Sequence, residues 1–74
     1  MNHSLFYKVF DDCIAFIKNN CRLVINHQNL FAKYYYSKGI MAFNTNKEIA
    51  KAYFGIAGLL GSEPAENRFY GIYL

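Results

Sequence analysis

LFAKYYYSKGIMAF, residues 30–43, is the stretch on which the fold turns. Three consecutive tyrosines flanked by Leu30 and Phe31, then Ile40, Met41 and Phe43, have the aromatic and apolar content of strands. Ser37-Lys38-Gly39 reads as the turn between them, with Gly39 supplying the positive φ of a three-residue hairpin. The expectation is therefore a strand over residues 30–36 and its returning partner over residues 40–43. The alternative is a helix from Leu30 to Lys38, capped by Asn29 and closed by Gly39. The choice decides which side chains share a face. In a strand, Tyr34 and Tyr36 point one way and Tyr35 the other.

Working outward, residues 45–61, TNKEIAKAYFGIAGLLG, have a clear helical signature. Thr45 and Glu48 have the spacing of a capping box. Gly61 stands where a left-handed C-terminal cap is wanted. Between them Ile49, Tyr53, Ile56, Ala57 and Leu60 recur at helical spacing. On the other side, residues 4–20 read as an amphipathic helix opened by Ser4. Phe6, Val9, Phe10, Cys13, Phe16 and Ile17 form one face; Lys8, Asp11, Asp12, Ala15, Lys18 and Asn19 form the other. Residues 21–26, CRLVIN, are β-branched and apolar enough for a short strand, followed by a polar turn to Asn29. Residues 62–67 read as a turn or single helical turn opened by Ser62 with Pro64 nearby. Residues 68–74, RFYGIYL, close the chain as an aromatic strand with a bulge at Gly71. The fold class this predicts is α+β, in the order α-β-β-β-α-β. Two amphipathic helices cover one face of a small, mainly antiparallel sheet of three to four strands. The mostly-α alternative has residues 30–38 helical. Residues 1–74 form one small domain in either case.

The chain has 74 residues, 54% of them hydrophobic and 19% aromatic, with seven Tyr, seven Phe and no Trp. That is more aromatic surface than so short a chain readily hides, and it points to a partner or to self-association as a homodimer. Eight Lys and Arg against five Asp and Glu give a formal charge of +3. The basic residues are scattered, so no tail for nucleic acid or anionic lipid is expected. Lys8, Asp11 and Asp12 interrupt any leader-like apolar run, and no segment approaches the roughly 20 apolar residues of a membrane span. A cytoplasmic setting follows, with Cys13 and Cys21 as free thiols.

No catalytic constellation emerges. Asp11 and Asp12 are neighbours whose side chains diverge on a helix. His3, His27, Cys13 and Cys21 lack the clustered spacing of zinc ligands, so neither metal nor cofactor is expected. Cys21 and His27, at the two ends of a short strand, would lie about 20 Å apart, too far for a nucleophile and its base. Gly55, Gly58 and Gly61 fall in or just after a helix, not in a phosphate-cradling loop. What remains is binding. Lys33, Tyr34, Tyr35, Tyr36 and Lys38 form a tyrosine-rich, basic strand suited to an interface. On the second long helix Lys47, Lys51, Gly55 and Gly58 share a face, with Phe54 at its edge, where a partner helix can come close. The expectation is a small non-catalytic protein-binding domain: an inhibitor, adaptor or regulator of a larger protein or complex. The alternative is a nucleic-acid-binding protein that stacks bases on the same basic and aromatic surface.

Overall fold

The structure, a computed structural model, describes residues 4–73 and is built of helices throughout. They are α1 (Ser4–Asn19), α2 (Cys21–Asn26), α3 (Gln28–Phe43), α4 (Lys47–Leu59) and α5 (Glu63–Gly71). No strand occurs among the described residues. The α+β expectation is thus overturned, and each stretch assigned to the sheet is helical. Residues 21–26 are α2. Residues 30–36 and 40–43, with the supposed turn between them, belong to α3, and residues 68–71 end α5. Residues 30–38 are helical, within a helix longer than the alternative supposed: His27 is the N-cap and Gly39 lies inside.

Competing forces explain α3. Tyr, Phe and Ile carry strand propensity, but that preference is worth at most about 1 kcal/mol per residue, depends on context and yields to packing. Its 16 residues contain no Pro. As a helix the segment lays Ala32, Tyr35 and Gly39 against the interior, all three buried. Gly39 does not have a positive φ; among the described glycines only Gly61 does, at 107°. Gly39 lets the α3 backbone approach the Phe54 ring instead. An ideal Cβ placed on it would stand 2.5 Å from Phe54 Cε1.

The helix at the centre is α4. It packs against α3, α5 and α1, and Ala50, Ala52, Phe54, Ile56 and Ala57 are fully buried. Asn46 is its N-cap: Oδ1 accepts from the Glu48 N–H at 2.9 Å and the Ile49 N–H at 3.2 Å. The cap is therefore one residue later than the expected Thr45, whose hydroxyl donates to the Ala42 carbonyl and closes α3. Gly61 ends α4 as its position suggested. The Ser62 N–H donates to the Ala57 carbonyl at 2.9 Å and the Gly61 N–H to the Gly58 carbonyl at 3.0 Å, the paired bonds of a Schellman motif. Ser62 then caps α5 through Oγ, which accepts from the Ala65 N–H. At the far end Lys51 Nζ donates to the Ile72 carbonyl at 2.7 Å, tying the last described turn to α4.

The candidate binding groove

The central position of α4 creates the site. Both α1 and α3 lie along it but scarcely meet each other. Between them runs a groove of about 600 Å³. Its α1 wall is Asp12, Cys13 and Phe16, its α3 wall runs from Leu30 to Lys38, and Tyr53 of α4 contributes at its base. His27, at the C-cap of α2, stands at one end. The size is that of a preformed ligand or anchor pocket, and the lining is mainly apolar and aromatic.

Helical geometry turns the three tyrosines by about 100° each, so they do three different things. Tyr34 is half-exposed at the groove's edge, its ring 5.2 Å from that of Tyr35 in an edge-on arrangement. Tyr35 is buried and stacks on Tyr53 with ring centres 6.2 Å apart. Tyr36 turns away from the groove, packs on Phe54 and accepts a 3.1 Å hydrogen bond from Arg68 Nε. Across the groove Phe16 approaches Phe31 at 6.2 Å.

Three polar groups punctuate the apolar lining: Asp12, Lys38 and His27. The Lys38 ammonium lies 5.9 Å from the Tyr34 ring centre and 5.6 Å from that of Tyr53, within reach of both ring faces. Burial pushes the Cys13 thiol pKa up; Asp12 adds to this and Lys38 opposes it. Burial likewise raises Tyr35 to about 12, with smaller contributions from Cys13, Tyr34 and Tyr53. Both groups thus stay protonated and neutral at pH 7. A protonated thiol is a poor nucleophile.

Of the residues expected at an interface, Tyr34, Tyr35 and Lys38 come together in the groove. Lys33 is exposed on α3 outside its lining. α5 lies along the glycine strip and leaves Gly55 and Gly58 half-buried. A Cβ on Gly55 would meet the Phe69 ring at 2.9 Å and Phe10 at 3.2 Å, and one on Gly58 would meet Glu66 Cβ at 3.3 Å. The partner helix suited to those glycines is part of the same chain. Phe54 is fully buried and reaches no surface. Lys51 is committed to Ile72, with its ammonium 4.8 Å from the Phe69 ring centre. Lys47 lies over Phe43 and, with Arg68, lines a separate hollow.

Sequence reasoning missed the α1 side of the site and Tyr53. One signal was available. The apolar arc of α1 is wider than a single neighbouring helix covers, and Phe16, at its margin, remains 41% exposed. Cys21 and His27, placed about 20 Å apart on a strand, belong to α2 and its cap, where six residues rise only about 9 Å. His3 lies outside the described residues. Among the described residues no group of three or more His, Cys, Asp or Glu could hold a metal ion, and no helix is long and apolar enough to cross a membrane. No family model, curated protein or solved structure matches the chain.

Proposed function

We propose that this chain is a small non-catalytic protein-binding domain, and that its docking surface is the groove between α1 and α3. Such a domain inhibits, adapts or regulates the protein whose apolar segment it holds. The observation that carries the reading is a preformed groove of about 600 Å³ with walls on three helices and tyrosines at its edge. Tyr and Phe give large contact area at low entropic cost, and Lys38 and Asp12 offer polar contacts that fix the orientation of a bound segment. Cys13 and Cys21 are both free thiols, which suits a reducing compartment such as the cytoplasm. The nucleic-acid alternative has less support, because Lys38 lines the groove while Lys47 and Arg68 line a different hollow.

A photo-crosslinking residue at Leu30, on the groove's outer lip, tests this against the same residue at exposed Leu59 outside it. Crosslinks to a defined protein are expected from Leu30 only. With that protein purified, Tyr34→Ala is expected to weaken binding by 2 kcal/mol or more, roughly 30-fold, as for an interface hot spot. Equal crosslinking from both positions, or unchanged affinity for both Tyr34→Ala and Leu30→Ala, would refute the reading.

A further inference from the structure

One end of the groove gathers an ammonium and three phenol hydroxyls that have no acceptor within the chain. Lys38 is half-buried, and its ammonium stands over the rings of Tyr34 and Tyr53, 5.9 and 5.6 Å from their centres. Among the described residues it has neither a carboxylate at ion-pair distance nor a hydrogen-bond acceptor. The hydroxyls of Tyr34, Tyr35 and Tyr53 likewise make no hydrogen bond among the described residues, although Tyr35 is only 6% exposed. Burial, and then Cys13, Tyr34 and Tyr53 nearby, push the Tyr35 pKa up to about 12, which keeps its hydroxyl a donor at pH 7. Donors left without partners in a concave, largely apolar site are where a ligand's acceptors fit.

The acid in the lining, Asp12, does not answer them. It is exposed on α1 and forms no ion pair with Lys38 among the described residues. Water and salt screen an exposed charge more than a half-buried ammonium over aromatic rings, so the balance at this end favours an anion. The opposite end, toward His27, is otherwise apolar. Leu30 lies about 12 Å before Lys38 along α3, and Phe16 meets Phe31 there.

We infer that the groove also binds a free medium-chain carboxylate, its head held by Lys38 among the tyrosine hydroxyls and its alkyl chain laid toward Phe16 and Phe31. A carboxylate only accepts hydrogen bonds, at about four lone-pair sites on two oxygens, and so matches an ammonium and phenol donors. The volume of about 600 Å³ is that of a small-ligand site. The inference goes beyond the docking role. Ligand and partner segment need the same space, so the bound carboxylate keeps the partner out.

Amide-resolved NMR of the full chain tests this, with sodium decanoate added below its micelle-forming concentration. Its extended chain is of similar length to the groove. Saturable shifts at Phe16, Tyr34, Lys38 and Tyr53 are expected, with a dissociation constant lower than that of the cationic decyltrimethylammonium by roughly tenfold or more. Lys38→Gln should weaken decanoate by a similar factor with unchanged circular dichroism, and Lys38→Arg should retain most of the affinity. Lys33→Gln removes the same charge outside the groove and should leave the affinity unchanged. A nitroxide at the far end of the alkyl chain should broaden Phe16 and Phe31 more than Lys38. The inference is overturned by the absence of saturable shifts in the groove, by equal affinity for the cationic amphiphile, or by equal losses from Lys38→Gln and Lys33→Gln. Broadening centred on Lys38 overturns the orientation. The two readings of the groove fail separately. Specific Leu30 crosslinks without decanoate binding remove the ligand and keep the docking role. Decanoate binding with equal crosslinks at Leu30 and Leu59 keeps the ligand and removes the docking role.

Discussion

Replacing Gly39 by Ala tests the packing that holds the groove's α3 wall in place. In an unobstructed helix the change would stabilise by about 1 kcal/mol, because Gly is the poorer helix former. Here the new methyl would meet Phe54 Cε1 at 2.5 Å, Cδ1 at 2.6 Å and Cζ at 3.0 Å. Phe54 has no exposed surface into which to retreat, and Tyr36 and Arg68 pack against its ring. Overpacking costs about 1–3 kcal/mol, and such a confined ring puts this site in the upper half of that range. Net of the helix gain, Gly39→Ala should destabilise by about 1–2 kcal/mol. Against a total of roughly 4–11 kcal/mol for a chain of this length, that is a large fraction. Urea unfolding followed at 222 nm is a suitable assay. With a slope of about 1 kcal/mol per molar, the midpoint should fall by about 1–2 M with the slope unchanged. In a Phe54→Ala background the ring is gone, and adding Gly39→Ala should be neutral or stabilising. A midpoint that holds or rises in the Phe54 background would show that α3 and α4 are not in contact there.

Two further perturbations probe α4 and the groove. Asn46→Ala should cost about 1 kcal/mol in urea unfolding because it strips the cap from the Glu48 and Ile49 N–H groups, whereas Thr45→Ala should cost clearly less; equal losses would point back to Thr45 as the cap. Burial holds Tyr35 protonated up to about 12, while the unfolded chain's tyrosine ionises near 10. The unfolded state therefore releases its proton first as pH rises, so stability from this group is complete below pH 10 and lost between pH 10 and about 12. Cys13 acts in the same direction from about pH 9 upward. The urea midpoint should drop from pH 8 to pH 11, and Tyr35→Phe should lose less over that interval than the wild type; matching losses would mean Tyr35 is not desolvated.

How far the sequence could be read depended on whether a segment has one apolar face or several. The range of α1 and the end of α4 were legible, because Phe6, Val9, Phe10, Cys13 and Ile17 form one stripe and Gly61 is an unambiguous stop. In α3 the apolar residues lie all around: Tyr35 and Gly39 face the interior, Tyr36 faces Arg68, and Leu30, Tyr34 and Met41 face outward. With no clean helical period, the β-preference of Tyr and Ile was the remaining signal, and it pointed the wrong way. CRLVIN and RFYGIYL failed for the same reason over shorter lengths. Of the candidate groove's lining, Tyr34, Tyr35 and Lys38 stand out by composition, but their α1 neighbours depend on two helices being held apart across α4, which no local pattern encodes. The glycines of α4 read as a face open to solvent or to a partner, and no local pattern shows that α5 lies along them.

The side-chain amide of Gln28 reaches the Leu60 carbonyl, 2.7 Å away, from the first turn of α3 to the cap of α4. With the short connection at Asn44–Asn46, this closes a helical hairpin at both ends. Its consequence is kinetic. The pairing of α3 with α4 requires little loop closure, so it forms at small entropic cost and gives the search for the native state a low contact order. The expected order of assembly is from the middle outward, with α1 and α5 condensing onto the α3–α4 hairpin. Substitutions at Gln28 or Gly39 should accordingly slow folding, whereas those in α1 should mainly hasten unfolding.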